Sequence, residues 1–333
     1  MFQGKKVLIT GGTGSLGKAL TTKLLSLDVE TIRIFSREEW KQVDMQNSFD
    51  DPRLRFLIGD VSDKFRLERA AEDIDIVIHA AALKHVPIAE YNPFEAVKTN
   101  IFGSQNLIDA CLKNNVKIIL AVGTDKAVSP FNTYGATKFL MERLFVSANF
   151  HKGQRDSKFI CVRYGNVLGS RGSVVPTFIQ HIKTKNKIKI TDNSMTRFNI
   201  TMPQAVDLVF RAIENGIGGE IFIPKLKAYN LGTLVDSILE QFDTQVQIEK
   251  INVRTGEKFH ESLISFDEIR NVYETLDDYI IFENLESAKY SNNNIDFKPA
   301  NLTDKYSSDK VPLITKSELC DMFIKENIFT IQK

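Results

Sequence analysis

The stretch GTDKAVSPFNTYGATK, residues 123–138, gathers the side chains best suited to move protons. Tyr134 and Lys138 are four residues apart, the spacing that puts two side chains on one face of a helix. A lysine beside a phenol lowers its pKa, so that tyrosinate can take a proton from a sugar hydroxyl while hydride leaves for a nicotinamide. Thr124, Asp125 and Lys126 come just before this pair. Simple oxidation or epimerisation needs only a hydroxyl there, which Thr124 supplies. An added acid and base imply added proton transfers. Eliminating water across C5 and C6 of a sugar needs two: a base removes the C5 proton and an acid protonates the leaving C6 hydroxyl. Oxidation at C4 must come first, because a ketone acidifies the neighbouring C5 hydrogen. The hydride then returns to C6, and no cofactor is consumed. A base of this kind must be neutral in part. Burial of Lys126 beside a nicotinamide's positive charge would lower its pKa. The other use of an adjacent Asp–Lys pair is a salt-bridged surface turn.

These side chains need a scaffold, and the hydrophobic pattern predicts one. KVLIT at 6–10, IRIF at 32–35, LRFLIG at 54–59, IDIVIHAA at 74–81, KIILAV at 117–122 and KFICVRYG at 158–165 read as strands. Segments with helical apolar spacing, such as SLGKALTTKLLSL and NIFGSQNLIDACLKNN, lie between them. The alternation predicts an α/β fold with a doubly wound, Rossmann-type parallel sheet. In such sheets ligands bind beyond the carboxyl ends of the strands, and Thr124 directly follows one. NTYGATKFLMERLF reads as the helix carrying Tyr134 and Lys138. Residues 1–165 are expected to form the nucleotide-binding domain. Residues 166–333 are expected to form a smaller, mainly substrate-binding C-terminal region, interleaved with the first. Helices are predicted at 174–184, 203–214 and 230–242. The polar run NLESAKYSNNNIDFKPANLTDKYSSDK, residues 284–310, is expected at the surface.

LITGGTGSLGKAL joins the first strand to a helix, with Gly11, Gly14 and Gly17 in GxxGxxG spacing. Backbone without Cβ approaches a pyrophosphate closely, and the helix N-terminus favours its charge. Thr13, Ser15 and Leu16 belong to the same expected contact. After the second strand stand Ser36 and Arg37, a hydroxyl and a guanidinium suited to a 2′-phosphate, which favours NADP over NAD. Lys41 is placed in the same set. Glu38 and Glu39 are expected to begin a helix and turn outward. Asp60, ending the third strand, is expected near the adenine amino group, with Val61 beside it and Asp63 capping the next helix. Ala80 and Ala81 are small enough for the cofactor ribose to pass. Val167 completes the expected cofactor contacts.

Composition excludes other classes. The 43 basic and 42 acidic residues nearly cancel, so there is no overall basic footprint for nucleic acid. No apolar run is long enough to span a bilayer, and the first strand begins at once, so the expectation is a cytoplasmic protein without a membrane partner. The three cysteines form no CxxC pair and the five histidines no metal-binding spacing, so no metal is expected.

Taken together, ITGGTGSLGK, FSREEWK, AALKHVPIAEYNPFEAVKTNI, TDKAVSPFNTYGATK, RYGNVLGSRGSVVPTF, MTRFNIT, GGEIFIPK and RTGEKFHE resemble the UDP-N-acetylglucosamine 4,6-dehydratases of the extended short-chain dehydrogenase/reductase family. The likeness covers about residues 1–265. It is strongest to the soluble, configuration-inverting branch that opens pseudaminic acid synthesis. The resemblance implies UDP-N-acetylglucosamine as substrate and a homo-oligomeric assembly. It implies Lys126 as C5 base, Asp125 as C6 acid and Tyr134 as C4 base, with Lys138 assisting and holding the nicotinamide ribose. Lys84 would face the substrate, and Asn166, Arg171 and Arg197 would meet sugar and diphosphate, with Arg254 and Glu257 as further substrate contacts. The sequence departs from the pattern at Asn199, where an aromatic is usual, and at Gly123, which replaces a common Ser. His85 is more typical of configuration-retaining, membrane-anchored relatives, whereas Tyr134 is unlike them. A nucleotide-sugar 4-epimerase, a retaining dehydratase and a non-catalytic NADP-binding regulator are the competing readings.

Overall fold

A computed structural model describes residues 1–242, 245–283 and 297–329. Six strands follow the predicted apolar runs: β1 (Lys6–Thr10), β2 (Thr31–Ser36), β3 (Leu54–Ile58), β4 (Ile76–His79), β5 (Ile118–Val122) and β6 (Lys158–Val162). Val7, Leu8, Ile9, Val77 and Ile78 are fully buried, as expected for strands covered on both faces. The helices between them are α1 (Ser15–Leu25), α2 (Glu39–Phe49), α3 (Lys64–Ala70), α4 (Val86–Tyr91), α5 (Pro93–Val97), α6 (Gly103–Lys113) and α7 (Thr133–His151). Asp63 caps α3 by accepting the Arg66 N–H. A π-helical turn, Lys98–Phe102, leads into α6, so the predicted helix there is wider in its first turn.

The rest of the chain adds β7 (Asn166–Val167), α8 (Val174–Lys185), β8 (Lys187–Ile190), β9 (Thr196–Ile200), α9 (Met202–Asn215), β10 (Glu220–Pro224), β11 (Ala228–Asn230) and α10 (Leu231–Leu239). It continues with β12 (Gln247–Lys250), β13 (Ser262–Ile264), β14 (Val272–Glu274), β15 (Asp278–Phe282), β16 (Lys298–Pro299), β17 (Tyr306–Ser307) and α11 (Lys316–Lys325). Helix α9 starts at a capping box of Thr201 and Gln204 and packs on α1.

Among the described residues the main sheet has the order β16-β14-β15-β10-β6-β5-β4-β1-β2-β3. From β3 to β10 all neighbours are parallel, and β15, β14 and β16 extend the edge antiparallel. The sheet therefore does not stop at residue 165: β10 pairs directly with β6. A second apolar cluster, with Phe178, Ile182, Leu234, Ile238 and Phe323 at its centre, joins α8, α10 and α11. Of the polar run 284–310, residues 284–296 lie outside the described residues. Its end corrects the surface expectation. Tyr306, Ser307 and Ser308 are buried, because β17 pairs with β13 and their polar atoms find partners there. No described helix is long and apolar enough to cross a membrane.

Candidate active site

The strand order reverses between β1 and β4, and a cavity of about 610 Å³ opens at the carboxyl ends of these strands. Every residue assigned above to cofactor binding borders it, as do Lys84, Thr124, Asn166, Arg171 and Lys126. Asp125, Arg197, Arg254 and Glu257 stand outside its wall.

One end is a nucleotide-sized cradle. Gly11 has φ +68°, and a Cβ there would lie 2.8 Å from the Ala81 nitrogen. The empty space above this turn faces the start of α1, a fit for a diphosphate. Arg171 closes the turn from the far side: its N–H donates to Ser15 Oγ at 3.2 Å, while Lys84 Nζ donates to the Arg171 carbonyl at 3.0 Å. Burial and the Arg171 charge lower the Lys84 pKa. Gly172, at φ +76°, packs on the His85 ring, so His85 supports this loop. At the adenine end Arg37 reaches Asp60 at 3.5 Å. Glu38 and Glu39 begin α2 as expected, with Glu38 at its N-cap and exposed, and Glu38 also borders the rim of the cavity, paired with Lys41 at 2.5 Å. Ser36 is buried and accepts from Gln42 Nε2 at 3.0 Å.

The other end holds Tyr134, Lys138 and the Thr124–Lys126 turn. Asn132 caps α7 by accepting the Gly135 N–H at 2.7 Å, which fixes the first turn bearing Tyr134. Both Tyr134 and Lys138 are buried. Burial raises the Tyr134 phenol to about 12, although Lys126 and Thr124 favour its ionised form. Burial lowers Lys138 to about 8. Its Nζ donates to the Val122 carbonyl at 2.6 Å. Asn100 binds Leu83 through N–H and C=O and donates to Thr137 Oγ1, tying the β4 exit loop to α7.

Thr124 to Ala127 form a short helical turn just after β5. Asp125 is fully buried, and its Oδ1 accepts from Thr124 Oγ1 at 2.9 Å and Lys126 Nζ at 3.0 Å. Asp125 Oδ2 is buried with no partner. A surface salt-bridged turn is thereby excluded. Lys126 Nζ also lies 3.3 Å from Asn166 Oδ1 and 3.5 Å from Glu261 Oε1. Its ionisation runs against expectation. Burial does lower its pKa, but Asp125 and Glu261 together outweigh burial and hold it above the ordinary lysine range.

Glu261 escaped sequence reasoning, although it is the last residue of RTGEKFHE. Nothing in its spacing separates it from a surface glutamate. That segment is held by Asn132 Nδ2 donating to the Gly256 carbonyl and by Lys258 Nζ donating to the Val128 carbonyl. Arg197 pairs with Glu257 at 3.4 Å and its charge reaches Lys126 and Glu261, whereas Arg254 is exposed. Among the described residues no cluster of His, Cys, Asp and Glu could hold a metal ion.

The cavity thus joins a glycine-lined cradle at the start of α1 to a contacting Asp–Lys pair after β5. The family described as "Polysaccharide biosynthesis protein" matches residues 7–283. The chain belongs to this family. It is a branch of the extended short-chain dehydrogenase/reductases. The chain is 45% identical over 331 residues to a UDP-N-acetylglucosamine 4,6-dehydratase (inverting) of Campylobacter jejuni, covering 97% of this chain and 98% of that one. It is 41% identical over 297 residues to a UDP-glucose 4-epimerase of Rickettsia massiliae, with 87% of each covered. The crystal structure of Pen from Bacillus thuringiensis superposes with a TM-score of 0.93 at 41% identity, covering 98% of this chain and 99% of that one.

Proposed function

We propose that this family member is a UDP-N-acetylglucosamine 4,6-dehydratase that inverts C5 and forms a 4-keto-6-deoxy sugar nucleotide. The observation that carries this reading is the Asp125–Lys126 pair, 3.0 Å apart, in which Asp125 is fully buried and Lys126 borders the cavity with Tyr134. A 4-epimerase has no use for it. The cradle of Gly11, Gly14 and Gly17 would hold the diphosphate of a nicotinamide dinucleotide, with Ala80 and Ala81 beside a ribose and Lys138 toward the other. When bound there, a nicotinamide would supply the acceptor for the C4 hydride and its donor to C6, and its positive charge would favour the Tyr134 phenolate.

The protein's own groups then move protons. Tyr134 takes the proton of the C4 hydroxyl. Lys138, still largely cationic at neutral pH, favours the phenolate. Lys126 takes the C5 proton and Asp125 protonates the departing C6 oxygen. The direct contact between the two offers a route to a free amine despite the raised Lys126 pKa. A single proton passing from Lys126 Nζ to Asp125 Oδ1 makes a free amine and a carboxylic acid together, so one shift arms both. Solvent then protonates C5 on the face opposite Lys126, balanced by release of the proton that Tyr134 took from the C4 hydroxyl, and this inverts that centre.

Arg37 supports NADP as the cofactor, since its guanidinium is exposed at the ribose end. Arg37→Asp should weaken NADP far more than NAD, by about tenfold or more for a lost charge-assisted contact; equal losses in titrations with both would remove that role. A cytoplasmic homo-oligomer opening pseudaminic acid or related 6-deoxy sugar synthesis fits this activity. The decisive experiment is incubation with UDP-N-acetylglucosamine in D2O, followed by NMR. A C6 methyl, a C4 ketone, deuterium at C5 and the inverted C5 coupling pattern are expected. A product that keeps its C6 hydroxyl would instead match the activity named for the Rickettsia relative.

A further inference from the structure

Lys126 is held by two carboxylates, and the reaction described above uses only one. Glu261 Oε1 lies 3.5 Å from Lys126 Nζ, with only 4% of the Glu261 side chain exposed. Its Oε2 is buried and has no partner, as is Asp125 Oδ2. Such an arrangement is costly unless a proton or a ligand completes it. The backbone of Glu261 is pinned on both sides. Its N–H donates to Ser308 Oγ at 3.0 Å, and its carbonyl accepts from the Ser308 N–H at 2.8 Å and from Ser307 Oγ at 3.2 Å. The backbone that presents this side chain to the Lys126 amine is thereby fixed.

We propose that Glu261 is a positioning residue for the reaction: it aims the Lys126 amine at the cavity and governs when that amine releases its proton. The proposal rests on the dehydratase reading, in which Lys126 is the C5 base. Two ionised carboxylates hold the ammonium firmly. If Glu261 carries a proton, only Asp125 opposes Lys126, and the handover of one proton to Asp125 becomes easier. Burial does favour a protonated Glu261, against the pull of Lys126 and Arg197. The charged groups facing Glu261 are Lys126 and Asp125 from the turn after β5, Arg197 from β9, and Lys258 from its own segment. Arg197 is itself paired with Glu257. Substrate binding beside Lys126 would thus reset a three-group proton balance, not a pair.

The test is competitive acetylation of Lys126 by acetic anhydride across pH, read by mass spectrometry, in wild type, Glu261→Gln and Glu261→Asp. Lys126 borders the cavity and is reachable by so small a reagent. Loss of the carboxylate should move the labelling curve about one pH unit down, giving about tenfold more free amine at a fixed pH below the midpoint. Glu261→Asp keeps the charge and should restore the wild-type curve. The kcat–pH profile for the 6-deoxy product should shift the same way. Coincident labelling curves for wild type and Glu261→Gln would overturn the proposal. If Glu261→Gln does not fold, Lys126→Met carries the reciprocal test. With 13C-labelled glutamate, the infrared band of a buried protonated carboxyl should persist to higher pH, and an unmoved band is equally fatal. If wild type yields no 6-deoxy product, the dehydratase reading falls and takes the proposal with it. If wild type turns over while the curves coincide, only the proposal falls.

Discussion

At the scale of single residues, the site works by setting neighbouring ionisations against each other. Lys138 is lowered by burial while Lys126, a short distance away, is raised by two carboxylates. Lys126→Met should abolish dehydration, a loss of about 10²-fold or more for a missing general base, while C4 oxidation stays possible. Retained 6-deoxy product with normal C5 deuteration would pass the base role to Asp125. Lys138 gives a pH signature in stability. Its folded pKa of about 8 lies below the ordinary lysine value of 10.5, so between these values the unfolded chain binds more protons. Stability contributed at this position therefore rises as pH climbs from about 8 toward 10.5, by about 3 kcal/mol at most. Urea unfolding of the cofactor-free protein should show wild type gaining on Lys138→Met across that window. A constant difference would mean the amine is not desolvated.

At the scale of elements, most of what holds the site was legible. Strands β1, β4, β5 and β6 are buried along most of their length, and β2 and β3 keep an apolar run around Arg33 and Arg55, so their residues announce them without reference to partners. The glycine turn and the Tyr134–Lys138 spacing are local patterns of the same kind. What was hidden depends on distant partners. The burial of Tyr306 to Ser308 follows from pairing with β13, and a run rich in Asn, Ser and Lys gives no sign of it. Glu261 is invisible for the same reason, and so is the reversed ionisation of Lys126, which requires knowing that two carboxylates meet it. The turn after β1 offers a direct check. Gly11→Ala combines a left-handed φ with a Cβ 2.8 Å from the Ala81 nitrogen. A cost of about 1–3 kcal/mol is expected, with cofactor binding lost more severely than stability. Unchanged affinity in a cofactor titration would show that the diphosphate sits elsewhere.

At the scale of the whole molecule, one buried charge cluster ties the parts together. Arg163, on the loop leaving β6, is 1% exposed and binds Glu142 of α7 at 2.7 Å and Glu268 at 3.0 Å, and it donates to the Leu263 carbonyl at 2.9 Å. It links the first sheet to the segment that carries Glu261. Arg163→Ala strands the buried Glu142 carboxylate and takes one partner from the half-buried Glu268, and should cost about 3–5 kcal/mol. Replacing Arg163 and Glu142 together with apolar residues should cost less, as measured by urea denaturation. A single mutant no weaker than the double would show that the cluster is not coupled.

The pairing of β13 with β17 also bears on the order in which the enzyme is made. The nucleotide cradle uses residues up to Arg171, whereas the backbone that fixes Glu261 is not complete until Ser308 leaves the ribosome. A nascent chain can thus assemble the surface for its redox partner well before its acid–base machinery is locked.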